Sequence, residues 1–355
     1  MTELILDPRH SANPFVSVIV PIRNEAAHIN EVLSAVLLQD YISERIEILI
    51  ADGMSIDNTR SIIDEFFTKY SHSKIEVLDN AAKIVPTAMN VALRQARGDI
   101  IIRLDGHTVI APDYVRQCVE TLQRSHADNV GGNMNAVGKN AFGKAVALAT
   151  STPFGIGDGR FHYSDEEEWV DTVYMGAWPR RVFEKIGLFD EELVRDQDDE
   201  FNYRLRAVGG KILLSPAIKS EYSVRSTPSS LWRQYYQYGY WKVRVLQKHP
   251  RQMRLRQFVP PVFVLMLLGS AMLALSPVIR PLSFVVPLLY LLANLSASLY
   301  AAPKHGWKYL PLLPLVFAIL HLSYGLGFLV GLLKFADRWG DKIGKVPLWT
   351  SETVG

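Results

Sequence analysis

Three stretches of this chain, 258–279, 282–302 and 310–333, contain no Asp, Glu, Lys or Arg. Each reaches the roughly 20 apolar residues that a helix needs to cross a hydrocarbon core about 30 Å thick. Uncharged segments of this length seldom follow one another in a soluble domain, so the sequence predicts a C-terminal membrane region. Pro260, Pro261, Pro287 and Pro314 fall within or beside these spans and predict kinks or re-entrant ends. Arg244, Lys248, Arg251, Arg254 and Arg256 precede the first span, and Lys304 and Lys308 separate the second from the third. Both groups favour a cytoplasmic N-terminal part. Lys334, Arg338, Lys342 and Lys345 follow the third span and disagree with that orientation if all three cross fully.

Ahead of the spans, residues 230–258 are aromatic and basic together, which suits a helix at the membrane interface. The rest reads as strands alternating with helices. FVSVIVPI (15–22), IEILIAD (46–52), KIEVLDN (74–80) and DIIIRLD (99–105) are apolar, β-branched runs and predict buried strands. Residues 26–39, 55–70 and 85–98 have helical spacing; Asn24 is expected to cap the first helix and Gly98 to close the third. The pattern predicts an α/β domain with a mostly parallel sheet covered on both faces. The expected organisation is thus an α/β domain over 1–228, an interface region over 229–257 and a membrane region with its tail over 258–355.

Net charge is only +2 and charged residues are 21%, which gives no concentrated basic face for nucleic acid. The single cysteine, Cys118, excludes an intramolecular disulfide and a cysteine-based zinc site. Residues 1–7 lack a basic run and an apolar core, so no signal peptide is expected.

In parallel α/β sheets ligands sit beyond the carboxyl ends of the strands. Three such ends here are polar: Arg23-Asn24-Glu25, Asp52, and Asp105-Gly106-His107. Each alone has an ordinary explanation as a helix-start or turn residue; together they point to one shared site. No G-x-G-x-x-G follows the first strand, so this is not a dinucleotide fingerprint. GIGDG (155–159) is expected to be a flexible loop, with a phosphate cradle as the alternative.

At these residues the chain resembles the inverting glycosyltransferases of family 2, with the GT-A (Rossmann-like) fold. The resemblance rests on VSVIVPIRNE (16–25), ADGMSID (51–57), GDIIIRLDGH (98–107) and 185–212, in that order, and spans about residues 14–245. Within the family it is similar to bacterial succinoglycan-type exopolysaccharide enzymes, which share the Asp-Gly-His variant and a C-terminal membrane region. The resemblance implies that Pro21, Arg23, Glu25 and Asp52 hold the nucleoside. It implies that Asp105, with Gly106 beside it, approaches the donor diphosphate through a divalent metal, Mn²⁺ or Mg²⁺. His107 stands where the family has a second acid; an imidazole is a competent ligand and suits Mn²⁺ better than Mg²⁺, the alternatives being direct contact with the diphosphate or a structural histidine. Lys83 and Arg225 are candidates to assist the leaving diphosphate. The acceptor-activating base falls on Asp198, with Asp199 as the alternative. Gly176, Trp178 and Arg180 would form a floor for the acceptor sugar. QYGYW (237–241) resembles the Gln-x-x-Arg-Trp motif of processive synthases, but Tyr240 replaces the arginine.

The implied activity is transfer of one sugar, with UDP-glucose the expected donor, to a polyprenyl-diphosphate-linked saccharide. The catalytic domain would face the cytoplasm at an inner membrane crossed several times. Alternatives are a polyprenyl-phosphate glycosyltransferase, a processive polysaccharide synthase, and a membrane subunit that binds nucleotide sugar or polymer without turnover.

Overall fold

The computed structural model describes residues 13–70, 74–304, 307–342 and 344–349; the N-terminal residues to which the signal-peptide expectation applies lie outside these. In chain order the elements are β1 Val16–Ile22, α1 Ile29–Leu37, β2 Ile46–Asp52, α2 Thr59–Lys69, β3 Ile75–Asp79, α3 Val85–Gln95, β4 Ile100–Arg103, β5 Thr108–Ile110, α4 Tyr114–Ser125 and β6 Asn129–Val137. They continue with α5 Ala141–Thr150, α6 Pro153–Ile156, β7 Glu168–Trp169, β8 Tyr174–Pro179, α7 Arg181–Ile186, α8 Gln197–Ala207 and β9 Ile212–Ser223. Four long helices follow: α9 Pro228–Lys248, α10 Val259–Leu273, α11 Val285–Ala301 and α12 Leu313–Lys334.

The chain folds as two compact units that interleave in sequence. The first holds the chain up to Asn135, Ser164–Tyr222 and the segment after Lys342; the second holds Ala136–Tyr163 and Ser223–Lys342. This division differs from boundaries at 228 and 257, because residues 136–163 join the helical unit.

The first unit is built on a nine-stranded mixed sheet with the order β3-β2-β1-β4-β8-β6-β9-β5, and β7 pairs with β9. β3, β2, β1 and β4 are parallel, as the alternating pattern predicts, and β4 onward the pairing to β8 is antiparallel. Every residue of β1 and β2 is buried. Their Val and Ile side chains form the core with Ile29, Val32 and Leu33 of α1. Glu47 lies in that buried register at 1% exposure. Its carboxylate is satisfied by the Ser17 hydroxyl at 2.5 Å, the Arg97 backbone N–H at 2.6 Å and the Arg97 side chain at 2.9 Å, so the burial carries no orphaned charge.

Gly98 does not close α3, which ends at Gln95 with Ala96 already extended. Its role is close approach: a Cβ there would lie 2.4 Å from the Ser17 backbone nitrogen. Gly98→Ala is expected to force β1 and β4 apart and to cost about 1–3 kcal/mol, the range for overpacking, read as a lower urea midpoint with an unchanged slope.

In the second unit α12 packs against α9. Ala145, Leu148 and Ala149 of α5 join Leu231, Leu313, Val316, Phe317 and Leu320 in one apolar cluster. Tyr240 stacks near Phe335, with ring centroids 4.9 Å apart, so QYGYW serves helix packing. GIGDG is partly ordered by α6, where a Cβ on Gly155 would meet the Ala149 carbonyl at 2.2 Å. α12 and the helical stretches Leu255–Leu273 and Arg280–Ala301 are long and apolar enough to cross a membrane.

Candidate active site

The site forms where β1, β2 and β4 end, all within the first unit. Asn24 leaves β1 in a left-handed conformation with φ 57°. It does not cap α1. Its backbone N–H donates to Ser55 Oγ at 2.8 Å and its Oδ1 accepts from the Ile56 N–H at 2.9 Å, tying the β1 and β2 loops together. Asn24→Gly keeps the backbone conformation and removes the side-chain bond; an expected loss of about 0.5–1.5 kcal/mol is measurable as a small drop in Tm. Arg23 is exposed and its side chain runs over Gly53, where a Cβ would stand 3.2 Å from Arg23 Cβ. Pro21 is buried in register with Ala51.

Asp52 is fully buried. Its oxygens accept from Ser55 Oγ at 2.5 Å and from Arg60 Nε at 2.5 Å, and Arg60 also reaches Asp79 at 2.5 Å. Asp52 therefore shapes the β2–α2 loop, and Arg60, which sequence reasoning missed, is its counter-ion. Lys83 is exposed in a left-handed turn, φ 62°, beyond the same edge of the sheet at the end of β3.

The β4 end carries the densest chemistry. Arg103 is 6% exposed and its Nε donates to Asp105 Oδ1 at 2.8 Å. Arg103 Nη1 lies 3.9 Å from Asp198 Oδ2 and makes no hydrogen bond. Burial disfavours the guanidinium charge, but the carboxylates of Asp105 and Asp198 outweigh it and hold Arg103 protonated. Burial likewise raises the Asp105 pKa, but Arg103 and His107 overcome it and hold the carboxyl below its ordinary value. The Tyr174 hydroxyl sits 2.6 Å from Thr108 Oγ1 and 3.4 Å from Asp105 Oδ2. Burial and then the Asp105 charge push the Tyr174 pKa well up, so the phenol stays protonated and donates. Tyr222 closes this wall against the rings of His107 at 5.3 Å and Tyr174 at 5.8 Å.

His107 Nδ1 is 3.2 Å from Glu25 Oε1, which joins the β1 end to the β4 end. Gly106 permits this approach, since a Cβ would fall 2.7 Å from Ile22 Cγ2 and 3.0 Å from Glu25 Cγ. Among the described residues no group of three or more His, Cys, Asp or Glu is arranged to hold a metal. The donor set nevertheless fits a divalent ion that draws most ligands from phosphate and water. Asp105 is held ionised. With Nδ1–H donating to Glu25, His107 Nε2 carries the lone pair a metal needs, the usual carboxylate–histidine arrangement.

The acidic residues 198–200 differ in surroundings. Asp198 and Asp199 lie in the first turn of α8, and Asp198 Oδ1 accepts from the Asp199 N–H at 3.0 Å. Asp198 is the acid brought to Arg103, with its side chain 36% exposed. Glu200 is buried and paired with Arg204 at 3.0 Å, a packing contact beneath the helix.

The acceptor floor expected of Gly176, Trp178 and Arg180 does not form. Trp178 is 1% exposed and packs edge-on against Phe183, Phe189 and Phe201, with centroids 5.7–6.2 Å away. Gly176 has φ +101°, and a Cβ there would lie 2.5 Å from the Trp178 ring. Arg180 donates to the carbonyls of Gly98 at 2.9 Å and Ala96 at 2.8 Å, covering the end of α3. A core tryptophan and a sugar platform read alike in sequence; only packing separates them. Arg225 lies outside this unit.

Comparison with known proteins agrees with the fold. The family model described as Glycosyl transferase family 2 matches residues 17–187. A Methanococcus voltae protein, a dolichyl N-acetyl-alpha-D-glucosaminyl phosphate 3-beta-D-2,3-diacetamido-2,3-dideoxy-beta-D-glucuronosyltransferase, is 29% identical over 90% of this chain and 98% of its own length. The succinoglycan biosynthesis protein ExoA of Rhizobium meliloti (strain 1021) is 28% identical over 90% of this chain and 96% of its own. Among solved structures, the mannosyltransferase PcManGT from Pyrobaculum calidifontis, in complex with GDP-Man and Mn²⁺, superposes with a TM-score of 0.58 over 90% of this chain and 88% of that one. At 18% identity it shows the shared GT-A fold.

Proposed function

We propose that this chain, whose residues 17–187 match the family 2 glycosyltransferase model, transfers one sugar from a nucleotide donor, UDP-glucose foremost, to a lipid-linked saccharide at a membrane, with inversion. The observation that carries the reading is the chain Asp105–Arg103–Asp198, which joins the end of β4 to the first turn of α8. It sets a donor-side acid and an acceptor-side acid on one buried cation.

In this reading Asp198 accepts the proton of the acceptor hydroxyl as that oxygen attacks the anomeric carbon. The new C–O bond forms on one face while the bond to the diphosphate breaks on the other, which inverts the centre. Arg103 places a buried positive charge 3.9 Å from Asp198 Oδ2. Arg23 and the loop held by Asn24, Asp52 and Ser55 border the nucleoside. Asp105 and His107 would hold a divalent ion, which when bound supplies charge to stabilise the departing diphosphate. The acceptor class follows from the two full-length relatives, one named for transfer to a dolichyl-phosphate sugar and the other for succinoglycan synthesis.

The test is transfer by the purified full-length protein, in lipid, from labelled nucleotide sugars to polyprenyl-linked saccharides. A discrete product one sugar longer is expected. No transfer from any nucleotide donor would sink the proposal, and a ladder of products would mark a processive synthase.

A further inference from the structure

We propose that only α10 and α11 enter the bilayer, as a hairpin, and that the equally apolar α12 does not cross. Three independent observations lead there.

The first is parity. The catalytic unit releases the chain at Tyr222 and takes it up again after Lys342. The returning segment is bonded into it: Leu188 N–H donates to the Pro347 carbonyl and Glu191 N–H to the Lys345 carbonyl, both at 2.9 Å, and Lys345 N–H donates to Asp190 Oδ1 at 2.8 Å. Residues 345–347 therefore share a side of the membrane with the catalytic unit. The chain between crosses an even number of times, so three full crossings are excluded.

The second is the pairing of α12 with α9. Leu231 clusters with Leu313 and Phe317. A Cβ on Gly327 would lie 2.1 Å from the Tyr236 carbonyl, and one on Gly331 would lie 2.6 Å from that of Tyr240. Gln247 Nε2 donates to the Phe335 carbonyl at 2.7 Å. Contacts advance together along both helices, so α9 and α12 run parallel, side by side, at one depth. If both crossed in the same direction, one crossing would have to separate them, making three, which parity forbids. α9 also carries Arg233, Lys242, Arg244 and Lys248 with no acid, and Arg244 is fully buried. Such a helix is costly at the bilayer centre. The apolar surface of α12 is instead turned inside the protein: half of its most apolar stretch is buried, against 22% and 17% for the stretches holding α10 and α11.

The third is exposure and charge. Leu265, Leu268, Met272, Leu288, Leu289 and Leu292 stand 53–71% exposed. At 1.5 Å per residue, stretches of 19 and 22 residues span about 30 Å. Hydrocarbon is the partner that covers such a surface. With only this hairpin crossing, the basic groups flanking the spans, Arg280 excepted, fall on the catalytic side: Arg251 to Arg256, Lys304, Lys308, Lys334 to Lys345. Arg280 alone lies at the far tip. The charge distribution that disagreed with three crossings agrees with two.

The test is labelling of the full chain in sealed proteoliposomes with a membrane-impermeant maleimide. One cysteine at a time is added to the buried Cys118, at exposed positions, by Asp64→Cys, Val278→Cys, Trp307→Cys and Leu348→Cys. Asp64→Cys, Trp307→Cys and Leu348→Cys are expected to react from one side and Val278→Cys only from the other. Reaction of Leu348→Cys or Trp307→Cys from the side opposite Asp64→Cys would overturn the proposal. So would reaction of Val278→Cys from the catalytic side, which would make the hairpin a surface insertion.

Discussion

Asp198→Asn is expected to lower the transfer rate about 100- to 10,000-fold, the range a positioned general base contributes. Nucleotide binding should change little, because Asp198 faces Arg103 at 3.9 Å and not through a hydrogen bond. Asparagine keeps the size of the side chain and its ability to accept from the Asp199 N–H, so the first turn of α8 should stand. The comparison that gives this prediction force is with its neighbours. Asp199→Asn should cost far less in rate. Glu200→Gln should act on stability, since Glu200 is buried against Arg204. A single-turnover assay with matched unfolding curves separates these outcomes. Equal rate losses at 198 and 199 would remove the assignment of the base.

Arg103→Met should be the most destabilising substitution near the site. It leaves Asp105 buried without its guanidinium, and removing one partner of a buried pair costs about 3–5 kcal/mol. The pH dependence carries a signature. In the native protein the Asp105 pKa lies below its unfolded value. Its contribution to stability is therefore present above about pH 4, the ordinary carboxylate range, and is lost as pH falls through the lower folded value. In Arg103→Met burial raises the carboxyl instead, so the sign reverses and stability rises as pH is lowered from 7 toward 5. Urea midpoints across that interval measure both slopes. Parallel slopes in the two proteins would contradict the ion-pair account.

The parallel half of the sheet was legible because β1, β2 and β4 are continuous apolar runs, which only a sheet covered on both faces accommodates. The polar strand ends followed from the same reading, and Glu25 and His107 do meet. What was not legible depends on long-range packing. Arg103 is one cation inside a strand, and nothing local says that it reaches a helix 95 residues away in sequence. Trp178 carries no mark that distinguishes a core ring from a sugar platform. Gly98 looks like a helix stop, yet its constraint comes from Ser17 on another strand. Apolar length in α12 is the same signal as a membrane span; its burial against α9 is a tertiary fact.

The central claim is a metal-assisted nucleotide-diphosphate site at the end of β4. Calorimetric titration of UDP, GDP and UDP-glucose, with and without Mn²⁺, on the wild type and on Asp105→Ala tests it most directly. The account predicts UDP and UDP-glucose binding that requires Mn²⁺ and is lost in Asp105→Ala while the variant remains folded. Binding indifferent to Mn²⁺, or no binding of any nucleotide by folded wild-type protein, would contradict it.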